Sequence, residues 1–151
     1  MKRWLALVVF LVGLVGSASA AEKILQNLNQ EGVALQGYDP VAFFTVGGPV
    51  KGQAQFSSDY RGARYWFHSA KNKATFDANP AKYEPQFGGY CAYGVGRKAL
   101  VDIKIDAWQI VDGRLLMQKN QGIRDDFNED PAGNLKKADG YWPALVEKKG
   151  K

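Results

Sequence analysis

Hydrophobic and polar positions divide the chain into short, well-punctuated segments. An apolar run from Trp4 to Val15 follows Lys2 and Arg3 and precedes Ala18-Ser19-Ala20, the three-part form of a secretory leader with a small-residue cut site. The run is shorter than the roughly 20 residues that a membrane-spanning helix needs, so cleavage is expected to leave a protein that does not span the membrane. The expected location is periplasmic or secreted. No cysteine lies near the cut to carry a lipid. The reading is residues 1–20 as a cleaved signal peptide, 21–32 as an N-terminal arm, 33–147 as one domain and 148–151 as a solvated basic tail.

Within the arm, Ile24, Leu25 and Leu28 give little pattern, so a short helix or a loose strap fits equally. At Asp39-Pro40 an N-cap residue precedes a proline suited to the first helical position, which predicts a short helix over Val41 to Phe44. Gly47-Gly48-Pro49 ends it. Strands are expected over Gln53 to Phe56 and Ala63 to His68, with a turn at Asp59 to Gly62. In the second strand Ala63, Tyr65 and Phe67 point one way and Arg64, Trp66 and His68 the other. Ser69 caps a helix over about 70–78, which Asn79-Pro80 stops, and Pro80 opens another turn through Tyr83. The stretch Gly88-Gly89-Tyr90-Cys91-Ala92-Tyr93-Gly94 reads as a flexible entry into an aromatic-rich segment.

A hairpin is the clearest local signal. Ala107 to Val111 and Arg114 to Gln118 flank Asp112-Gly113, a pair suited to a type I′ turn. That register sets Ile110 against Leu115 and Trp108 against Met117 on one face. This face is expected to be core, each large side chain contributing roughly 1.5–3 kcal/mol on burial. Towards the C-terminus Ile123 and Phe127 share one helical stripe and Leu135, Ala138 and Trp142 another, before Pro143 interrupts. The expected fold class is α+β: a small antiparallel β-sheet, including the 107–118 hairpin, packed against several short helices.

Composition narrows the function classes. The 151 residues carry a net charge of +5, and loss of Lys2 and Arg3 with the leader lowers it to +3. Nucleic-acid binding thereby loses its compositional support. The mature chain is long enough to build a core without metal or disulfide staples. Its one cysteine, Cys91, rules out an intramolecular disulfide. In an exported protein such a thiol is either buried or functional.

The chemical inventory is short. His68 is the one histidine, and no serine-hydrolase elbow, Walker loop or C-x-x-C is present. A thiol enzyme acting through Cys91 names no base or oxyanion donor beyond His68, so the protein is expected not to be an enzyme. A closed zinc site needs four ligands and a blue-copper site two histidines and a cysteine, more than this chain offers. What stays open is a low-coordination Cu(I) site built from the Cys91 thiolate and the His68 imidazole, a Zn(II) site on them completed by carboxylate or water, or a site shared across a dimer. A pocket for a small molecule or partner protein, lined by Tyr38, Trp66, Tyr90 and Tyr93, is the alternative. For each residue the bland reading also stands: a buried thiol, a hydrogen-bonded histidine, aromatic rings in the core.

The run Trp66-Phe67-His68-Ser69, Phe76, Asn79-Pro80, Lys82-Tyr83 and Pro85-Gln86-Phe87-Gly88-Gly89-Tyr90-Cys91-Ala92 resembles the YHS domain, Phe67 standing where the signature tyrosine would be. Leu35-Gln36-Gly37-Tyr38-Asp39-Pro40, the 107–113 segment and Ala138-Asp139-Gly140-Tyr141-Trp142-Pro143 are similar to its longer exported bacterial members, so the likeness covers about 33–145. The resemblance implies metal handling through the cysteine, here Cys91.

Overall fold

In the computed structural model, which describes Gly16 and residues 19–151, the chain forms six α-helices and two β-hairpins. The expected leader lies almost wholly outside the described residues. The arm is neither helix nor free tail: it lies along the domain and is tied to it by a bridge between Leu28 and Ala34.

Helix α1 (Pro40–Thr45) begins at Asp39, whose Oδ1 accepts from the amides of Val41 and Ala42. Strands β1 (Gln53–Tyr60) and β2 (Ala63–Phe67) form the first hairpin. Its turn is tighter than the expected Asp59 to Gly62. The ladder runs on to Tyr60 opposite Ala63, because Arg61 and Gly62 both take positive φ, 48° and 77°. Ala63, Tyr65 and Phe67 are buried while Arg64 and His68 are exposed, as alternation requires. Helix α2 (Ala70–Ala78) starts where the Ser69 hydroxyl accepts from the Asn72 amide, and α3 (Pro80–Tyr83) follows directly. Phe76 of α2 packs its ring 4.9 Å from Tyr65 and 5.1 Å from Phe67, closing one core.

After a left-handed excursion at Phe87, Gly88 and Gly89, α4 (Ala92–Val95) leads towards the second hairpin, β3 (Trp108–Val111) and β4 (Arg114–Met117). Its register is the expected one, Ile110 opposite Leu115 and Trp108 opposite Met117, with Asp112 and Gly113 at φ 51° and 72°. Two features differ from the sequence reading. The strands make two separate two-stranded antiparallel sheets, not one, since each hairpin closes locally on its own core. The burial of the second hairpin also follows the strand, not the face. Leu115, Leu116 and Met117 of β4 are all sealed, whereas Ile110 of β3 is 37 % exposed. Strand β4 is packed on both sides: Leu116 joins Phe127 and Leu135, and Leu115 and Met117 join Leu35, Phe43 and Ile103.

Helices α5 (Gln121–Asn128) and α6 (Pro131–Lys149) complete the chain. Helix α6 runs through Pro143 instead of stopping there. The proline is exposed, so the Asp139 carbonyl that loses its partner can be met by water. Helix α6 takes in Lys148 and Lys149 of the basic tail, and Lys151 exchanges two backbone hydrogen bonds of 3.0 Å with Ile24 of the arm. No helix among the described residues is long and apolar enough to cross a membrane.

Candidate functional site

Cys91 caps the start of the four-residue helix α4 and is 1 % exposed. Its amide donates to the Val101 carbonyl at 3.0 Å, and it bridges Met117 as a parallel neighbour of β4. Around the sulfur lie Leu35, Phe43, Ile103, Leu115 and Met117. One polar group reaches it: the thiol donates to Gln118 Oε1 at 3.3 Å, an oxygen that also accepts from the Tyr93 amide at 3.1 Å. Gln118 is fully buried.

His68 is elsewhere in the fold. It leaves the end of β2, whose inward residues pack in a different cluster from Cys91, and it is exposed. The backbone does its bonding: the His68 amide donates to Asp39 Oδ2 at 2.9 Å, and its carbonyl accepts from Gln53 Nε2 at 2.9 Å.

Tyr90 and Tyr93 pack against the same core cluster, and Tyr38 is not part of it. Tyr38 is half-buried with the Lys51 ammonium 5.6 Å from its ring centre. Tyr90 donates to the Gln26 carbonyl at 3.4 Å, and its phenol is raised above the ordinary range by burial and, secondarily, by Asp102. The Tyr93 ring is covered by the Arg97 guanidinium at 3.3 Å. Trp66, weighed with them, stacks over Gly37, where even a methyl group would come within 3.0 Å of the indole.

A concave site does exist, between the arm, the segment from Glu84 to Gly88, the start of β4 and the exposed side of α6. This cleft has a volume of about 780 Å³, and none of the three tyrosines lines it. Phe87 and Trp142 meet there edge to face, with ring centres 5.9 Å apart. On one side the Arg114 guanidinium donates to both Asp139 carboxylate oxygens, at 2.9 and 2.7 Å, and to Gln86 Oε1 at 2.9 Å. On the other, Arg61 reaches Glu84 at 3.4 Å and Glu22 at 3.3 Å. Burial raises the Glu84 carboxyl above its ordinary value, against the pull of Arg61. The rim is closed by Lys23, which pairs with Glu147 at 2.7 Å. Such a surface offers an aromatic face flanked by two exchangeable ion pairs.

Comparison with known families gives one match: residues 41–87 fit the model of the YHS domain. The chain carries a YHS domain. Neither curated proteins nor solved structures gave a match. The matched stretch runs from α1 through both strands of the first hairpin to Phe87 and stops short of Cys91.

YHS domains are generally associated with metal ions, copper in particular, and the donors present can be tested against that association. At Cys91 they do not fit. The sulfur is sealed in hydrocarbon, its polar neighbour is a neutral amide, and the imidazole is on the surface of another part of the fold. Among the described residues, no group of three or more His, Cys, Asp or Glu side chains could hold an ion. Arg61, Glu84, Arg114 and Asp139, which build the cleft, are not among the site residues the sequence suggests. They come from the β1–β2 turn, the residue after α3, β4 and α6, and nothing in their spacing announces convergence.

Proposed function

We propose that this is an exported, non-enzymatic binding protein. Its ligand is a small organic molecule with a flat apolar part and at least one charged group, held in the cleft that Arg61, Glu84 and Phe87 of the YHS-matched stretch share with the arm, β4 and α6. The observation that carries the reading is the cleft itself. Its volume of about 780 Å³ falls within the range usual for small-molecule sites, with Phe87 and Trp142 as the apolar wall and Arg114–Asp139 and Arg61–Glu84 as polar partners. A charged ligand group would exchange with one member of an existing ion pair, so binding need not expose a bare buried charge.

The family's association with metal favours a second reading, but the donor set around Cys91 lends it no support. The experiment is native mass spectrometry of freshly purified protein, followed by titration with the dye ANS, a flat aromatic sulfonate. An organic adduct, or saturable ANS binding weakened about tenfold or more in Trp142→Ala and Arg114→Ala, supports the cleft. Binding unaffected by either substitution, or none at all, overturns it.

A further inference from the structure

Cys91 and Gln118 are far apart in sequence, yet β4 and the start of α4 hold their side chains against each other in a dry cage. Both ends of the contact are fixed by backbone. The Cys91 amide is bound to Val101, and the Gln118 amide donates to the Ala107 carbonyl at 2.8 Å while its carbonyl accepts from Lys104 at 3.2 Å. Three features of the Gln118 carboxamide go beyond a structural hydrogen bond. Its oxygen accepts from the Tyr93 main-chain N–H, a fixed donor placed where negative charge would develop if the carbonyl were attacked. Its nitrogen, Nε2, is buried and has no hydrogen-bond partner among the described residues, a costly arrangement for an N–H donor. The group facing the carbonyl is a thiol, 3.3 Å from the oxygen.

We propose that Cys91 and Gln118 form an internal thioester. The Cys91 sulfur adds to Cδ of Gln118 and the Cδ–Nε2 bond breaks. The thiol proton leaves on nitrogen, and ammonia departs; no oxidant or cofactor takes part. The products are one Sγ–Cδ bond and one molecule of ammonia. Held reactants replace a bimolecular encounter, the Tyr93 N–H stabilises the tetrahedral oxyanion, and loss of nitrogen removes the unpaired donor from the core. Leu35, Phe43, Ile103, Leu115 and Met117 keep out the water that would hydrolyse the product. The site becomes a masked acyl donor whose acceptor class is a primary amine.

The full chain as purified, unfolded at mildly acidic pH, should weigh one ammonia less than its sequence and titrate no free thiol. Its peptide map should contain a linked species carrying both Cys91 and Gln118. Methylamine should restore the thiol and leave a methylamide on Gln118. The ammonia deficit should vanish in Cys91→Ala and in Gln118→Ala. Full sequence mass with one titratable thiol overturns the proposal. So does a deficit that persists in Cys91→Ala, which would place the loss at a succinimide elsewhere. Should both variants fail to fold, the peptide map of the parent protein decides: separate, unmodified Cys91 and Gln118 peptides overturn it.

Discussion

Asp39 Oδ2 accepts a hydrogen bond from the His68 backbone amide at 2.9 Å, and a second from Asn72 Nδ2 at 2.7 Å. The other oxygen of this fully buried carboxylate caps α1. Asp39 therefore ties the start of α1, the end of β2 and the first turn of α2 at one point. His68 takes part through its main chain.

Loss of that tie should be costly, and loss of the imidazole should not. Asp39→Ala removes an N-cap and leaves buried N–H groups unpaired, so it should lower stability by about 3 kcal/mol. His68→Ala should stay within about 0.5 kcal/mol, as for most exposed sites. Urea unfolding of both variants checks this, and comparable losses would contradict the role assigned to Asp39.

The cleft carboxylate Glu84 should leave a signature in the pH dependence of stability. Burial raises its folded value above the ordinary 4.5, with Arg61 pulling the other way. An acid raised in the folded state holds its proton more tightly there than when unfolded. Its contribution is fully present below the unfolded value and declines as pH rises through the folded one. The parent-minus-Glu84→Gln stability difference should therefore fall as pH rises above about 4.5 and then level off. A difference that climbs with pH would mean that Arg61 outweighs burial.

The arm should detach when Gly88 is changed. Gly88 sits at φ +59°, and a Cβ there would collide with the Leu25 carbonyl, while its own carbonyl accepts from the Asn27 amide at 2.8 Å. Gly88→Ala should cost about 1–3 kcal/mol and speed hydrogen exchange at the Ile24 and Asn27 amides. Unchanged protection at both would show that the arm does not depend on this contact.

Metal titrations should not depend on Cys91. Zn(II) and Cu(I) affinities of Cys91→Ser and His68→Ala should lie within about twofold of the parent. A stoichiometric site lost in Cys91→Ser alone would restore the coordination reading and remove the present account of the sulfur.

Much of the local structure was legible because its causes are local. Ser69 and Asn79-Pro80 bound α2 by capping and by steric exclusion, and Asp112-Gly113 sets the register of the second hairpin through its φ angles. The site was less legible. Phe87 and Trp142 are far apart in sequence, and their meeting depends on how α6 packs against α4. Gln118 read as a polar residue ending a strand, yet it is sealed because the chain from Val101 to Ala107 folds over it. Pro143 interrupts the apolar pattern, yet α6 continues through it with the proline on the exposed side.

The residues alone determined the helix caps at Asp39 and Ser69, the turn of the second hairpin, the inward face of β2 and the presence of one thiol and one imidazole, since each follows from steric and hydrogen-bonding rules acting over a few neighbours. Which groups meet was decided by tertiary packing: Cys91 with Gln118 and not with His68, and Arg61 and Arg114 around one aromatic wall. Those pairings depend on how two separately closed hairpins and α6 share buried surface, a property of the whole chain that no short window contains.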